Sequence, residues 1–195
     1  MNQADIIRHL RDLSQYLWCV LAIVWLIGAF RTKRTIRRQS SSSRLMQIGI
    51  LAGGAYLLFA RYTGTRWLDR PAIPVTLTIA ALGFALIVFG VGFSIWARLT
   101  LGANWSGTVT LKADHALIRR GPYRIVRHPI YTGILAALIG TAIERGLRSS
   151  LIALPLCGFG FWLKITTEEQ FMVQRFGEAY VRYKQEVKAL VPFLF

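Results

Sequence analysis

Five long apolar stretches separated by basic connections constrain this chain more than any other feature of its sequence. They cover residues 13–30, 45–60, 73–97, 130–143 and 147–165. The chain has 195 residues, of which 54% are hydrophobic, and it carries a formal net charge of +15. A hydrocarbon core of roughly 30 Å is crossed by about 20 apolar helical residues. The pattern therefore predicts an all-α integral membrane protein with about five transmembrane helices.

The basic charge by itself is also typical of nucleic-acid binders, but such proteins gather Lys and Arg on one soluble face. Here these residues lie between apolar stretches, so we expect a lipid membrane as the partner and no nucleic acid. Cys19 and Cys157 each lie inside an apolar stretch. This placement excludes a disulfide framework and predicts no metal site.

The distribution of Lys and Arg predicts the orientation in the membrane. Seventeen of these residues lie in three regions, at 31–44, 98–129 and 164–195. The remaining seven lie at residues 1–12, 61–70 and 144–148. Because positive residues are retained on the cytoplasmic side, the alternation places the N-terminus outside and the C-terminus in the cytoplasm.

One membrane domain is expected over residues 1–195. Residues 1–97 hold the first three helices, and residues 98–195 hold a helical hairpin joined by "ERG" and a C-terminal amphipathic helix that breaks near Gly177. The run "SSSS" at residues 40–43 is predicted to be a loop. The oligomeric state is left open by the sequence.

Polar chemistry concentrates where the last two apolar stretches meet the cytoplasm. Residues 119–133 read "RRGPYRIVRHPIYTG", and Glu168 and Glu169 follow the fifth stretch. At a helix start, the helix dipole and burial both favour a neutral imidazole on His128. A purely structural alternative pairs Glu168 with Lys164, one helical turn earlier. The arginines of this segment are predicted to set topology only, and they are Arg119, Arg120, Arg124 and Arg127.

Three motifs resemble those of the isoprenylcysteine carboxyl methyltransferase family and related phospholipid methyltransferases. They are "NWSG" at residues 104–107, "DHALIRRGPYRIVRHPIYTG" at 114–133 and "EEQFMVQRFGEAYVRYKQEV" at 168–187. An R-H-P-x-Y motif followed by paired glutamates and F-G-x-x-Y-x-x-Y is more specific than any one of these short motifs. The resemblance covers the C-terminal half of the chain.

The resemblance implies an enzyme that binds S-adenosylmethionine at the cytoplasmic ends of the last two membrane helices. The cofactor contacts that it implies are His115, Ala116, Leu117, Ile118, Tyr123, His128, Pro129, Ile130, Tyr131 and Glu168. The methyl acceptor is expected to be lipophilic. A carboxylate acceptor needs no general base, whereas an amine or a thiol does, and the candidate bases are Glu168, Glu169 and His128.

One position departs from the family pattern. Where the family has an arginine four residues before the glutamate, this chain has Lys164, which cannot reproduce the bidentate fork of a guanidinium. Lys164 is thus a candidate for binding an anionic acceptor as a point charge. Two other functions are considered: an NADPH-dependent membrane reductase of the sterol reductase type, and a non-catalytic lipid-binding membrane protein.

Overall fold

Most backbone N–H and C=O groups pair within helices. The hydrocarbon core of a membrane requires this, because it offers them no hydrogen-bonding partners. The computed structural model describes residues 2–30, 35–38, 40–105, 110–112 and 117–192. Its helices are α1 (Gln3–Ala29), α2 (Ser41–Phe59), α3 (Leu77–Leu101), α4 (Pro129–Arg145), α5 (Arg148–Phe176) and α6 (Glu178–Glu186). Its two strands, β1 (Thr35–Arg38) and β2 (Thr110–Lys112), pair antiparallel. Single 3-10 turns lie at Gly102–Asn104 and Gly121–Arg124.

The helical architecture confirms the predicted all-α class, to which the structure adds one short two-stranded ribbon. Within the described ranges, three helices are long and apolar enough to cross a membrane, and they are Gln3–Ala29, Leu77–Asn104 and Arg148–Phe176. With 17 residues, α4 is about 26 Å long, slightly less than a hydrocarbon core. The count of five crossings stays a prediction.

Helix boundaries differ from the apolar stretches because polar residues cap and extend the helices. Asn2 and Asp5 form a reciprocal capping box that starts α1 ten residues before the first apolar stretch. The prediction of a loop at residues 40–43 is wrong, because the Ser40 hydroxyl accepts a hydrogen bond from the Ser43 backbone at 3.3 Å and caps α2. The C-terminal end of α5 lies at Phe176, beyond residue 165, where the fifth apolar stretch ends.

The connection between α5 and α6 is a single residue, Gly177, with φ +52°. Left-handed backbone of this kind favours glycine, so the helix breaks where the sequence predicted an interruption. Tyr180 and Tyr183 on α6 are both buried, each 2% exposed.

Helices α3 and α4 pack with their backbones in contact. Gly83 and Gly90 on α3 lie against Gly140 and Gly133 on α4. A Cβ atom on Gly83 would lie 2.8 Å from the Gly140 carbonyl oxygen, and one on Gly140 would lie 2.5 Å from that of Gly83. Small residues permit such close approach between helices in a membrane. This packing fixes the position of α4 and of the polar residues at its start.

Hydrogen bonds gather the connections into two groups at opposite ends of the helices. At one end, Ala72 and Ile73 donate backbone hydrogen bonds to the Gly146 carbonyl, and the Arg11 guanidinium donates to the Glu144 carbonyl at 2.7 Å. At the other end, β1 pairs with β2, and the Arg127 backbone N–H donates to the Lys188 carbonyl at 2.8 Å. The two groups are those that the alternation of Lys and Arg predicted.

Candidate functional site

Polar side chains from the segment 119–133 and from the C-terminal part of α5 meet at the start of α4. Pro129 occupies the first turn of α4, where its missing N–H and fixed φ are compatible with a helix, and His128 is the N-cap. Pro129, Ile130 and Tyr131 are buried. The Ile130 carbonyl accepts a hydrogen bond from the Ser94 hydroxyl of α3 at 3.1 Å. A hydrogen bond from α3 thus fixes the first turn of α4.

His128 is buried between two carboxylates. Its Nδ1 lies 3.6 Å from Glu168 Oε2, and its Nε2 lies 3.3 Å from Glu169 Oε1. Burial alone lowers the pKa of His128, but hydrogen bonding to Glu168 and Glu169 outweighs burial, so the pKa is raised. The two carboxylates, which the dipole argument did not include, therefore oppose the preference for a neutral imidazole that the sequence predicted.

Glu168 accepts a hydrogen bond from the Tyr131 hydroxyl at 2.7 Å. Its side chain is 26% exposed, twice the fraction of Glu169. Near it, the Lys164 ammonium lies 5.4 Å from the centroid of the Tyr131 ring. Glu168 is therefore the carboxylate of this pair with more surface open to a ligand.

Glu169 is surrounded by cationic side chains. Its Oε1 accepts hydrogen bonds from Arg127 Nε at 2.9 Å and Nη2 at 2.7 Å. Its Oε2 lies 2.7 Å from the Lys184 ammonium. Both carboxylate oxygens are thus paired with Arg or Lys side chains, whereas those of Glu168 face Tyr131 and His128.

Aromatic rings form one side of the site. The Tyr131 ring stacks on His128 with centroids 5.7 Å apart and contacts Phe161 at 5.3 Å. Burial and the negative charge of Glu168 raise the pKa of Tyr123, so that its phenol is neutral. Burial raises the pKa of Tyr183 to about 12, and its hydroxyl donates to the Tyr123 carbonyl at 2.5 Å. That hydrogen bond joins α6 to the turn that precedes α4.

The structure brings together most of the residues that the sequence predicted for the site. His128, Tyr131, Glu168 and Glu169 are in direct contact through the distances above. Leu117 and Ile118 are half-buried, and Ile118 packs against the core cluster that contains Tyr123 and Tyr131. His115 and Ala116 lie outside the described residues.

Sequence reasoning missed two residues of the cluster. Arg127 was assigned to topology alone, yet its side chain is 9% exposed and pairs with Glu169. Lys184 was given no role, although its ammonium reaches the same carboxylate. In the sequence, only its place directly before His128 distinguishes Arg127 from the neighbouring arginines. In the structure those neighbours are exposed. Lys184 lies on a separate helix, so nothing local connects it to Glu169.

The cluster has the composition of a site for a small molecule that carries both charges. A partly open carboxylate suits an ammonium group, and aromatic faces attract a sulfonium or other organic cation. Lys164 supplies a positive charge on the same face of α5 as Glu168. All of these groups lie at one end of a set of apolar helices, where a polar ligand and a lipid-soluble one could meet.

Comparison with known proteins agrees with these features. A sequence model of the family described as phospholipid methyltransferase matches residues 78–179. That stretch contains His128, Tyr131, Glu168 and Glu169, and it excludes α1 and α2. It covers about half of the chain, including both sides of the cluster.

Curated relatives carry one activity in their names. Protein-S-isoprenylcysteine O-methyltransferase B of Arabidopsis thaliana is 32% identical over 119 residues, covering 60% of this chain and 60% of its own. The Schizosaccharomyces pombe enzyme is 34% identical over 59% of this chain and 49% of its own. The Homo sapiens enzyme is 31% identical over 60% of this chain and 42% of its own. The matched part thus spans about half the length of these relatives.

A solved structure shares the fold. It is described as the eukaryotic intramembrane Ras methyltransferase, isoprenylcysteine carboxyl methyltransferase, without a monobody, and it matches with a TM-score of 0.50 at 22% identity. The match covers 82% of this chain and 55% of the other. It supports a multi-pass integral membrane fold. The chain belongs to the phospholipid methyltransferase family, and the curated relatives named above are isoprenylcysteine O-methyltransferases, as its motifs predicted.

Proposed function

We propose that the chain is an S-adenosylmethionine-dependent methyltransferase that transfers a methyl group to a lipophilic acceptor in the membrane. The observation that carries this proposal is the contact between the "HPIY" turn and Glu168. There the Tyr131 hydroxyl donates to Glu168 at 2.7 Å, and His128 lies 3.6 Å from the same carboxylate. The names of the relatives support the reaction class.

The residues present fit the charges of S-adenosylmethionine. Glu168, which is 26% exposed, would hold the ammonium of the methionine part, because its carboxylate retains open surface. The Tyr131 face would lie near the sulfonium, which aromatic rings attract. The backbone of Leu117 and Ile118, with Tyr123, would hold the remainder. His115 and Ala116 complete the proposed set from the family motif.

Binding and orientation are the main tasks of the protein in this reaction. Bound S-adenosylmethionine supplies an activated methyl group on a sulfonium, which leaves as a neutral thioether. The cluster at the start of α4 would orient that group and exclude water, since holding two reactants in line supplies much of the rate. A carboxylate acceptor needs no base. An amine or thiol acceptor would give its proton to one of the candidate bases, which are Glu168, Glu169 and, in its neutral form only, His128.

We propose an isoprenylcysteine-type carboxylate as the first acceptor to test, because the curated relatives are named for it. Lys164 would contact the acceptor as a single positive charge, four residues before Glu168 on α5. A phospholipid amine is the second candidate, from the description of the matching family. By the positive-inside rule, the site lies on the cytoplasmic side, so the charged cofactor would enter from the cytoplasm. The lipophilic acceptor would enter from the lipid.

Binding of radiolabelled S-adenosylmethionine to the full chain in lipid nanodiscs tests the proposal. We expect saturable binding, followed by methyl incorporation into an S-farnesylcysteine analogue that carries a free carboxylate. Its methyl ester serves as the matched control, since it has no acceptor oxygen. Absence of saturable binding up to millimolar cofactor overturns the proposal, and binding of NADPH in its place favours a reductase.

A further inference from the structure

The end of α6 and the chain that follows it lie across the start of α4. We call residues 184–190 the strap. The Arg127 backbone N–H donates to the Lys188 carbonyl at 2.8 Å, and the His128 N–H donates to the Ala189 carbonyl at 3.0 Å. The Thr132 hydroxyl donates to the Leu190 carbonyl at 2.8 Å. Three consecutive carbonyls of the strap therefore accept hydrogen bonds from two backbone N–H groups and one side-chain hydroxyl around the N-cap of α4.

The Arg127 side chain adds further hydrogen bonds between the start of α4 and the strap. Its Nη1 donates to the Lys184 carbonyl at 3.2 Å and also to the Val187 carbonyl. Its Nε and Nη2 donate to Glu169 Oε1. One guanidinium thus joins α5, the start of α4 and the strap.

The oxygen of Glu169 that Arg127 holds is the one that faces His128. Glu169 Oε1 lies 3.3 Å from His128 Nε2, while the other imidazole nitrogen faces Glu168 at 3.6 Å. A change in the position of Glu169 therefore changes the donor and acceptor set of the imidazole. His128 also stacks on Tyr131, which donates to Glu168, so contacts through Glu169 and His128 connect Arg127 with these two residues.

We propose that Arg127 is a positioning residue of the methyl-transfer site, which fastens the strap over the start of α4 and orients His128 through Glu169. The proposal rests on the proposed function. It assigns to Glu169 the task of holding His128, and it leaves Glu168 as the carboxylate that meets the ligand. No contact between Arg127 and substrate or cofactor is required.

The geometry requires an arginine and not only a positive charge. A guanidinium has five N–H donors in a planar fork, so one side chain can serve Glu169 and two carbonyls together. A lysine ammonium keeps the charge but is a compact donor that cannot span these three acceptors. An Arg127→Lys variant thus separates charge neutralisation from fastening.

The experiment compares Arg127→Lys and Arg127→Gln with Arg124→Lys and Arg124→Gln in the full chain in nanodiscs. Arg124 is exposed and lies in the turn just before, so it controls for the loss of one basic residue. The first measurement is hydrogen exchange of the strap amides and of residues 127–132. We expect exchange in both Arg127 variants to be about tenfold faster or more, and exchange in both Arg124 variants to be unchanged.

The second measurement is the affinity for S-adenosylmethionine, with KM and kcat determined separately. Both Arg127 variants should bind the cofactor about tenfold or more weakly, because neither lysine nor glutamine can span Glu169 and the two strap carbonyls. A purely electrostatic role would be rescued by lysine, and that rescue overturns the proposal.

Two controls keep the outcomes distinct. If Arg127→Gln does not fold, Arg127→Lys decides the matter, because it retains the charge beside Glu169. Strap exchange equal to that of the Arg124 variants overturns the positioning role, whatever the cofactor does. Absence of cofactor binding by the unsubstituted chain overturns the proposed function, while the exchange comparison still decides whether Arg127 fastens the strap.

Discussion

Glu168 and Glu169 are neighbours in sequence with different surroundings. Glu169 has both oxygens engaged by Arg127, His128 and Lys184. Glu168 accepts a hydrogen bond from the neutral Tyr131 and lies 3.6 Å from His128, and its exposed fraction is twice that of Glu169. Because successive residues of a helix point about 100° apart, one carboxylate faces the strap and the other faces the open side. We therefore expect the two to differ in function.

Replacing Glu168 by Gln should weaken S-adenosylmethionine binding by about tenfold or more, because the amide cannot balance the ammonium of the ligand. Equilibrium binding measures this change, and thermal unfolding checks that the variant is folded. Glu178→Gln is the matched control, since Glu178 is exposed at the start of α6 and lies outside the strap. Equal affinity of Glu168→Gln and the control removes Glu168 from the site.

Tyr131→Phe should weaken cofactor binding while leaving the aromatic contacts intact. The substitution removes the hydroxyl that donates to Glu168 at 2.7 Å but keeps the ring stacked on His128. A hydrogen bond to a charged group contributes about 1.5–3 kcal/mol, so we expect a loss of about tenfold or more. Tyr180→Phe is the control, because Tyr180 is buried on α6 and lies outside the proposed contacts. A variant that binds as tightly as the control shows that the hydroxyl does not orient Glu168.

The raised pKa of His128 predicts a pH dependence of stability. A group whose pKa is higher in the folded state stabilises the fold fully below its unfolded pKa, and this stabilisation is lost as pH rises through the folded pKa. We therefore expect the Tm of the cofactor-free protein to fall as pH rises above about 6.5, the unperturbed value. A His128→Asn variant should lack that part of the decline. Parallel Tm curves for the two proteins would contradict the assignment.

Packing between α3 and α4 depends on glycines that leave no room for a side chain. A Cβ atom on Gly90 would lie 2.6 Å from the Ala137 backbone nitrogen, whereas one on Gly92 would meet nothing within 4 Å. Gly90→Ala should therefore lower the free energy of unfolding by about 1–3 kcal/mol, as overpacking does. Gly92→Ala, on the same helix, should be neutral or slightly stabilising, because alanine is the better helix former. Thermal unfolding in detergent compares the two, and equal Tm values would show that the helices separate easily.

Hydropathy and spacing predicted the elements better than their ends. The apolar runs located the cores of α1 to α5, and the glycine at residue 177 marked the break before α6. The capping serines at the start of α2 were not recognised, because a serine run is equally typical of a loop and of an N-cap. Residues 166–176 were predicted as the first part of a separate amphipathic helix, whereas in the structure they continue α5 to Phe176.

The candidate site was predictable to the extent that a motif encodes it. The R-H-P-x-Y and E-E residues were found from sequence, and the structure brings them within hydrogen-bonding distance. The contacts of Arg127 with Glu169 and the strap join segments about forty and sixty residues apart. No local pattern encodes such a contact, so the structural role of Arg127 was visible only once the helices were packed.

Across the whole molecule, the hydrogen-bonded grouping of the connections predicts which residues share a side of the membrane. Thr65 is exposed at the end that contains Gly146, and Gln185 is exposed on α6 at the other end. In a chain with Cys19 and Cys157 replaced, Thr65→Cys should react with a membrane-impermeant thiol reagent in intact cells. Gln185→Cys should react only after the membrane is permeabilised. The reverse labelling pattern would place the site outside the cytoplasm.

The strap also has a consequence for biosynthesis. The backbone N–H of His128 is satisfied by the Ala189 carbonyl, which the ribosome adds only after α4, α5 and α6 have been made. Until then the N-cap of α4 has no such acceptor, and Glu169 has no Lys184. These contacts of the site therefore form only after α4, α5 and α6 have been synthesised, so a nascent chain that ends before the strap would not hold its ligand.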